Sequence, residues 1–393
     1  MLMLSDSCNS NEQINVTTTA LPQVDYNIDP SHIYPYCFNN FLSKNKPFIL
    51  KSCVNEWNSS LHWVQNKQPN FEYLSNHYGD IEVPVANCNS YYFNAHEKTN
   101  MTLKEYTIYW QNKIDGKLSE TEPLYYLKDW HFTRDFKTED IYRVPNVFSS
   151  DWLNEYYSEH LEHKDDYRFV YMGPKETWTP LHADVFHSYS WSVNICGRKQ
   201  WLLLAPGNEK YFKDSMGNLI SDMRSVDWST LPRDTVIIVE QEAGDSIFVP
   251  SGWHHQVTNL EHTISINHNW INGTNIDHVY HEMVSHLEAV KKEIDDCKDM
   301  DDWTSHCQLM LQVSFGINFR QFFDMLKFIC QKRLTSLKNG TTIRLYGNWI
   351  LSLDHTMFDL RKASDVLKLC AQHEDWDLKL ETNKLIEDLN SSI

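Results

Sequence analysis

The sequence predicts a mainly β core, preceded by a mixed α/β region and followed by a helical region. Short β-rich segments separated by turn residues dominate the middle third of the 393-residue chain. Such a series is typical of an all-β sandwich or barrel. After residue 275 the apolar residues recur with a period of about 3.6, which is the period of a helix. Between residues 23 and 120 both patterns occur.

Composition places the chain among globular proteins. Hydrophobic residues make up 41% of it, so it can bury a large core. Its formal net charge of -18 argues against direct nucleic-acid binding, because phosphate contacts need clustered Lys and Arg. The nine cysteines are odd in number and include no C-x-x-C pair, which favours free thiols in a reducing compartment. We therefore expect a cytoplasmic protein, or one shared between cytoplasm and nucleus.

The first 22 residues are polar and rich in Ser, Thr and Asn, which predicts a flexible tail. No basic stretch followed by an apolar run begins the chain, so no signal peptide is predicted. No segment reaches the roughly 18 apolar residues of a membrane span. Within the mixed α/β region, 23–120, short strands are predicted at 47–50 and 83–85, and a helix at 74–78 that ends at Gly79.

Residues 121–275 carry the β pattern. Tyr189, Trp191 and Val193 alternate with polar residues, which predicts a half-buried strand with one apolar face. Gly197 and Arg198 form a turn into the next strand, and Pro206-Gly207 ends that strand. The predicted strands of this region are 167–171, 188–196, 199–205, 235–239, 246–249 and 262–270.

Residues 276–393 form the predicted helical region. Its apolar stripes are interpreted as core packing, with packing on the β core as the default. Dimerisation through these helices, or a role in holding substrate, stays open, and the sequence does not specify the oligomeric state. The stripes consist of Val279, Met283, Leu287 and Val290, then Phe319, Phe322, Phe323, Leu326, Ile329 and Cys330, then Met357, Leu360, Val366 and Leu369.

His182 and Asp184 are candidate metal ligands. Positions i and i+2 of a strand point the same way, so both side chains could face one metal ion. His255, which follows the Gly252-Trp253 turn, is the candidate third ligand. Two imidazoles and one carboxylate form the facial ligand set of non-haem Fe(II) and leave coordination positions open.

The His-x-acid pattern alone is weak evidence for a metal site, because it occurs at four other places in the chain. Those places have charged or helical surroundings, which are typical of solvated faces. His182 and Asp184 differ because they lie within the β-rich region. The four other pairs are His160/Glu162, His163/Asp165, His286/Glu288 and His373/Asp375.

Lys199 is the second element of the predicted site. It opens a strand of Trp and Leu residues, where an inward lysine costs free energy unless it pairs with an anion. An edge lysine in solvent is the alternative. Inside a barrel with a metal, Lys199 could bind the distal carboxylate of a dicarboxylate cosubstrate, and Thr179 and Tyr125 could each donate a hydroxyl to it.

Several runs of residues resemble the Jumonji-C (JmjC) oxygenases, which are Fe(II)- and 2-oxoglutarate-dependent enzymes built on a double-stranded β-helix of the cupin, or jelly-roll, type. The resemblance covers roughly residues 123–270. Within it, Arg168-Phe-Val-Tyr-Met-Gly-Pro174 is similar to the JmjC domain-containing protein 4 branch, regarded as lysyl hydroxylases of the eukaryotic translation termination factor. The family motifs are Thr179-Pro-Leu-His-Ala-Asp184, Gly197-Arg-Lys-Gln-Trp201 and Gly244-Asp-Ser-Ile-Phe-Val-Pro-Ser-Gly-Trp-His-His255.

The resemblance implies a role for each candidate residue. The JmjC double-stranded β-helix would span 121–275, with His182, Asp184 and His255 as Fe(II) ligands. His254 would serve in packing or would support the ligands from behind. Dioxygen would take the position left open beside 2-oxoglutarate. The residues implied at the 2-oxoglutarate site are Lys199, Thr179 and Tyr125 at the distal carboxylate, and Asn269, Asn267 and Ser192 elsewhere around the cosubstrate.

The function implied is hydroxylation of a lysine of the termination factor, which promotes termination. Two alternatives stay open. A JmjC histone lysine demethylase would share the metal chemistry, although the chain lacks Cys/His zinc modules and a basic patch for chromatin. A catalytically inactive JmjC interaction module is the other, although all three ligands and Lys199 are retained.

Overall fold

The computed structural model of the protein describes residues 20–27, 30–54, 56–92, 95–119, 121–160, 166–346 and 349–391. Most of the predicted flexible tail, residues 1–19, lies outside the described residues. The same holds for the acidic members of the pairs at 160/162 and 163/165. Among the described residues no helix is long and apolar enough to cross a membrane.

The N-terminal region contains both helices and strands, as predicted. Asn70 caps the third helix by accepting a hydrogen bond from the Tyr73 amide, and Thr102 and Glu105 form a capping box on the fourth. The elements are β1 (Gln23–Asp25), α1 (Pro30–Asn40), β2 (Phe48–Lys51), α2 (Asn58–His62), β3 (Val64–Gln65), β4 (Gln68–Pro69), α3 (Phe71–Tyr78), β5 (Glu82–Tyr92), β6 (Ala95–Thr102) and α4 (Leu103–Ile114).

The next segment contains the predicted strands, with ends shifted by a few residues, and three strands that the sequence did not predict, at 125–130, 178–182 and 254–259. The elements are β7 (Tyr125–Trp130), α5 (Phe132–Asp135), α6 (Trp152–Glu159), β8 (Arg168–Gly173), β9 (Trp178–His182), β10 (Tyr189–Cys196), β11 (Lys199–Leu204), β12 (Ile237–Gln241), β13 (Ser246–Val249), β14 (His254–Asn259) and β15 (Thr263–Trp270).

These strands form two sheets. The larger has nine strands in the order β1-β2-β13-β10-β15-β8-β7-β5-β6, and the smaller has four in the order β12-β11-β14-β9. The chain alternates between the sheets from β8 to β11 and again from β12 to β15, and the barrel pairs are antiparallel. This confirms the predicted double-stranded β-helix.

The strand β10 shows how the sheets enclose a polar interior. Its apolar side chains Tyr189, Trp191 and Val193 are fully buried in the main hydrophobic core. The prediction that this strand is half-buried was wrong in one respect, because its opposite, polar face is covered too. Ser190 and Ser192 on that face line a cavity inside the barrel, since side chains alternate along a strand.

The nine-stranded sheet continues across residue 120. β2 of the N-terminal region pairs with β13, and β5 pairs with β7. The two predicted regions therefore share one sheet and one hydrophobic core. The division into 1–22, 23–120, 121–275 and 276–393 stays a prediction from sequence.

The C-terminal region is helical. The predicted apolar stripes at 279–290 and 319–330 are buried in a second core. α6 and Phe186 join that core, so it packs on the barrel. The α9 helix begins with a capping box of Asn318 and Gln321 and ends at Gly340, whose φ is 61°. The elements are α7 (Ile276–Glu293), α8 (Trp303–Phe315), α9 (Phe319–Asn339), β16 (Arg344–Leu345), β17 (Trp349–Ile350), α10 (Leu353–Gln372) and α11 (Lys379–Asn390).

Candidate active site

The structure brings His182, Asp184 and His255 together. His182 ends β9 and pairs across the smaller sheet with His255 of β14. The two ring centroids lie 4.3 Å apart, and the Nε2 atom of His255 lies 4.0 Å from the Oδ2 atom of Asp184. One ligand atom from each of the three residues lies within 4.8 Å of the others. This spacing suits a single metal ion held by three protein ligands.

Asp184 reaches this point in a different way from the one predicted. It lies beyond the end of β9, at the start of a short turn, and not on the strand itself. Its backbone remains extended, with φ -64° and ψ 153°, so its side chain still points to the same side as that of His182. The Ser190 hydroxyl donates a hydrogen bond of 2.6 Å to Asp184 Oδ2 and orients the carboxylate.

The histidines present the atoms that a metal needs. The Nδ1 atom of His182 lies 2.7 Å from the Pro180 carbonyl, and that of His255 lies 3.1 Å from the Trp253 carbonyl. Because a carbonyl only accepts, each Nδ1 carries the hydrogen and each Nε2 keeps a free lone pair. Burial lowers the pKa of His182 to about 3, so the ring is neutral at pH 7.

The Asp184 carboxylate is ionised as well. Burial raises its pKa, but His255, His182 and hydrogen bonds from Ser190 and Asn269 outweigh burial and lower the pKa below its ordinary value. Metal binding requires deprotonated carboxylate and neutral imidazole, so Asp184 and His182 hold the protonation states that fit a divalent ion.

A cavity of about 240 Å³ extends from these ligands into the barrel. Five of the predicted cosubstrate residues line it: Thr179, Ser192, Lys199, Asn267 and Asn269. The other lining residues are Ala95, His96, Lys98, Tyr126, Lys128, Tyr171, Pro180, His182, Asp184, Ser190, Trp191, Trp201, His255, Val257 and His268.

Lys199 is buried in this cavity, with 2% of its surface exposed. Its Nζ donates a hydrogen bond of 2.7 Å to the Ser265 hydroxyl and lies 5.9 Å from the centre of the Tyr171 ring. Burial lowers the pKa of its amine from 10.5 to about 7. Within the described residues no carboxylate lies within ion-pair distance of it. A buried cation without an anion is costly, so the cavity fits a ligand that carries a carboxylate, as 2-oxoglutarate does.

Polar groups around Lys199 add donors and acceptors to the cavity. The Asn267 amide donates a hydrogen bond of 3.2 Å to the Ser265 hydroxyl, the same group that contacts Lys199. The Asn269 amide donates to Ser188 Oγ at 3.2 Å. The Ser192 hydroxyl is buried and has no hydrogen-bond partner among the described residues. Such a group is available to a bound ligand, and the individual roles remain predictions.

Tyr125 lies apart from the cavity. Its ring packs against that of Tyr109, with 5.2 Å between the centroids. The next residue, Tyr126, lines the cavity, because neighbouring side chains of β7 point to opposite faces. A shift of one residue in a short motif moves a side chain from one face of the sheet to the other. Nothing in the sequence indicates which of the two adjacent tyrosines faces the cavity.

The same alternation separates His254 from His255. His255 faces the cavity, whereas His254 lines a different cleft on the other side of β14. Sequence reasoning also missed His96 of β6, which is 5% exposed, lines the cavity and has two ring nitrogens without a partner among the described residues. The polar sequence of β6 offered no pattern that would have identified it.

A jelly-roll barrel with a His-x-Asp and distal His triad beside a buried lysine defines the class of Fe(II)- and 2-oxoglutarate-dependent oxygenases. The Cupin-like domain family matches residues 36–275. The protein "2-oxoglutarate and iron-dependent oxygenase JMJD4" of Gallus gallus is 42% identical over 372 residues, which are 90% of this chain and 87% of that protein. The protein of the same name in Homo sapiens is 43% identical over 346 residues, 86% and 82% of the two chains.

A plant relative is more distant. The "Arginine-specific demethylase JMJ20" of Arabidopsis thaliana is 38% identical over 303 residues, 72% of this chain and 65% of that protein. The chain therefore belongs to the JmjC family of 2-oxoglutarate and iron-dependent oxygenases. The enzyme class and the cofactors predicted from the sequence, Fe(II), 2-oxoglutarate and O2, are confirmed.

Proposed function

We propose that this oxygenase hydroxylates a lysine side chain of the eukaryotic translation termination factor in the cytoplasm, and so promotes termination. The proposal rests on the likeness of residues 168–174 to the lysyl hydroxylase branch of the family. The observation that carries the catalytic part is the His182, Asp184 and His255 triad beside the uncompensated cation of Lys199.

His182, Asp184 and His255 would hold Fe(II), and the residues behind them keep them in place. The carbonyls of Pro180 and Trp253 fix the two imidazole rings through their Nδ1 atoms. Ser190 and Asn269 hold the Asp184 carboxylate by hydrogen bonds. Positioned ligands of this kind lose little conformational freedom when the metal binds.

Lys199 would bind the distal carboxylate of 2-oxoglutarate, with Thr179 beside it. The lining residues suit an anion, because Lys199 has no carboxylate within ion-pair distance among the described residues and the one lining carboxylate belongs to the metal triad. When bound, Fe(II), 2-oxoglutarate and O2 together supply the oxidant for an unactivated C–H bond and yield succinate and carbon dioxide.

The chain's other contribution is to position the substrate and to exclude water from the reacting atoms. Tyr171 lines the cavity beside Lys199, and Trp201 lines it beside His255. An enclosed wall protects a reactive oxidant from side reactions. The formal net charge of -18 suits a target loop rich in Lys and Arg, since complementary charge speeds association.

Mass spectrometry of the termination factor tests the proposal. The full chain is incubated with the factor, Fe(II), ascorbate and 2-oxoglutarate, beside a His182→Ala control. We expect one lysine to gain the mass of one oxygen atom, and the control to leave it unchanged. Turnover of 2-oxoglutarate without any change in the factor would contradict the proposed substrate and leave the oxygenase assignment standing.

Demethylation is the second candidate function, because the Arabidopsis relative carries that name. An oxygenated N-methyl group breaks down to formaldehyde, whereas hydroxylated lysine is stable. Formaldehyde release from methylated histone or termination-factor peptides, without a stable oxygen adduct, would favour demethylation. No iron binding and no 2-oxoglutarate turnover would favour the inactive interaction module.

A further inference from the structure

A second group of metal-ligating side chains lies outside the candidate active site. His187, Glu282 and His286 each offer one ligand atom, and these atoms lie within 4.8 Å of one another. They line a cleft of about 740 Å³, to which His254, the neighbour of the triad residue His255, also contributes. The cleft lies on the other side of β14 from the 2-oxoglutarate cavity.

The distances in this cluster match metal ligands better than hydrogen bonds. The Oε1 atom of Glu282 lies 3.4 Å from His187 Nε2 and 3.5 Å from His286 Nε2. Charge-assisted hydrogen bonds between such groups are shorter, about 2.7–2.9 Å. Two ligands of a tetrahedral zinc ion, each bonded at about 2.0–2.1 Å, lie about 3.4 Å from each other.

Two separate parts of the chain supply the three residues. Glu282 and His286 are four residues apart on α7, so they lie on one face of that helix. His187 follows Asp184 by three residues, in the turn that leaves the active site.

Phe186 and His187 both have left-handed backbones, with φ 58° and 46°, a conformation that residues other than glycine rarely adopt. The Phe186 ring holds this turn by packing between Tyr167 and Phe315.

Charge separates this cluster from a second group, which has two carboxylates and one histidine. Glu288, His373 and Asp375 also meet the spacing of metal ligands, but Lys291 forms ion pairs with both carboxylates and supplies the cation there. The ion-pair partners of Glu282 among the described residues are His187 and His286. A metal ion would supply the positive charge that this carboxylate otherwise obtains only from a protonated histidine.

We propose that His187, Glu282 and His286 form a second divalent metal site that binds Zn²⁺. Two imidazole nitrogens and one carboxylate oxygen are ligands that zinc prefers, and they leave a tetrahedral ion one position for water. An ion there joins α7 of the C-terminal region to the turn that begins at Asp184. It therefore stabilises the packing of the helical region on the barrel.

Zinc binding to the full chain tests this site, with the active-site triad disabled by His182→Ala. The chelator-treated variant is titrated with Zn²⁺ against a chromophoric chelator, and its thermal unfolding is followed with and without the ion. We expect one equivalent of zinc to bind and to raise the unfolding midpoint. Co²⁺ in place of Zn²⁺ should give the visible absorption of a tetrahedral site.

Variants of the cluster assign the ligands. Glu282→Gln, which keeps the shape of the side chain, is added to His182→Ala, and His286→Ala is tested in the same background. Each should weaken zinc binding by more than the roughly 10–100-fold that loss of an outer partner costs, and should remove the zinc-dependent rise in the midpoint. His281→Gln is the matched control, because His281 lies on the same helix and lines the same cleft. It should leave binding unchanged.

Three results would overturn the proposal. His182→Ala protein that binds no zinc has no second site. Glu282→Gln protein that binds zinc as tightly as its parent does not use this carboxylate. If the His281→Gln control loses as much zinc affinity as the Glu282→Gln and His286→Ala variants, the ion binds elsewhere in the cleft. Circular dichroism of each variant shows that a loss of binding is not a loss of fold.

Discussion

Two buried cations, Lys199 in the barrel and Arg333 in the helical region, have opposite surroundings. Arg333 is fully buried and donates to both oxygens of Glu155, at 2.7 and 2.8 Å, and to Asp359 at 2.9 Å. Lys199 is 2% exposed, and its polar partner is the hydroxyl of Ser265. Burial lowers the pKa of both groups, but the carboxylates around Arg333 reverse its shift, whereas Lys199 keeps a pKa of about 7.

The difference separates a structural cation from a receptor for an anion. Arg333 of α9 joins α6 through Glu155 and α10 through Asp359, so its charge is fully compensated by the fold. No carboxylate among the residues that the structure describes compensates the charge of Lys199, so the fold retains this cation at a cost in stability. A cost of this kind is typical of functional sites, where a ligand supplies the missing partner.

Replacing Arg333 should have the largest effect on stability. Arg333→Met removes the guanidinium from the buried Asp359 and leaves Glu155 with its pair to Lys332, so we expect the free energy of unfolding to fall by about 3–5 kcal/mol. Denaturant unfolding measures this. The matched control is Arg320→Met, whose pair with Glu381 is exposed and screened by solvent, so its loss should have a much smaller effect. Equal losses in the two variants would contradict a structural role for Arg333.

Replacing Lys199 should affect the ligand and spare the fold. For Lys199→Met we expect 2-oxoglutarate binding to weaken by about 2–5 kcal/mol, or roughly 30-fold to several thousandfold, because a buried charge pair is lost. The free energy of unfolding without ligand should stay the same or rise, since a buried unpaired cation is removed. Calorimetric titrations measure the affinity of the variant for Fe(II) and for 2-oxoglutarate. Equal weakening of the two affinities would refute the assignment.

The pKa of Lys199 predicts a pH dependence. Below pH 7 the amine is charged and 2-oxoglutarate binds with full affinity; above it, binding must take up a proton, and affinity falls by up to about tenfold per pH unit. The folded-state pKa lies below the unfolded value of 10.5, so the unfolded chain binds more protons between these values. The free energy of unfolding of the ligand-free protein therefore rises with pH across that window.

Titrations at several pH values, with the Lys199→Met variant as reference, measure both trends. The variant lacks the amine, so its affinity and its stability should each depend less on pH. An affinity for 2-oxoglutarate that stays constant from pH 6 to pH 9 in the unaltered protein would contradict the assignment of this amine as the anion receptor.

The smallest effects should distinguish cavity residues from their neighbours. Thr179→Val removes a hydroxyl that lines the cavity, so 2-oxoglutarate binding should weaken by about 0.5–1.5 kcal/mol, a few-fold to about tenfold. Tyr125→Phe should leave binding unchanged, because Tyr125 packs on Tyr109 outside the cavity. Binding measurements on the two variants check this, and a larger loss for Tyr125→Phe would restore the role predicted from sequence.

The sequence predicted more of the candidate site than of the strands that carry it. His182, Asp184, His255 and Lys199 were identified as candidates by residue type and motif, and the structure places them together. The strands β9 and β14 were not predicted, because β9 is short and contains a proline and β14 is largely polar. Polar strands inside a barrel lack the apolar alternation on which prediction depends.

His286 belongs to a cluster that the sequence did not predict. Its pairing with Glu288 suggested a solvated helical face, and Glu288 is indeed exposed. The relevant neighbours of His286 are Glu282 on the same helix and His187, about a hundred residues earlier in the chain. Contacts between distant segments are not encoded in local spacing, so sequence reasoning could not find this cluster.

The sequence by itself determined the period of the elements with an apolar face, the candidate metal ligands and the family to which the chain belongs. The alternation in β10 and the buried stripes of α7 and α9 follow from local spacing, because backbone geometry alone sets periods of two and about 3.6. Only the tertiary structure decided that the polar face of β10 lines a cavity and that Tyr126 and not Tyr125 faces it. It also decided that Arg333 pairs with carboxylates, whereas Lys199 pairs with none among the described residues. The physical reason is that a buried polar group is paired by residues from other elements, and only folding brings those residues within hydrogen-bond distance.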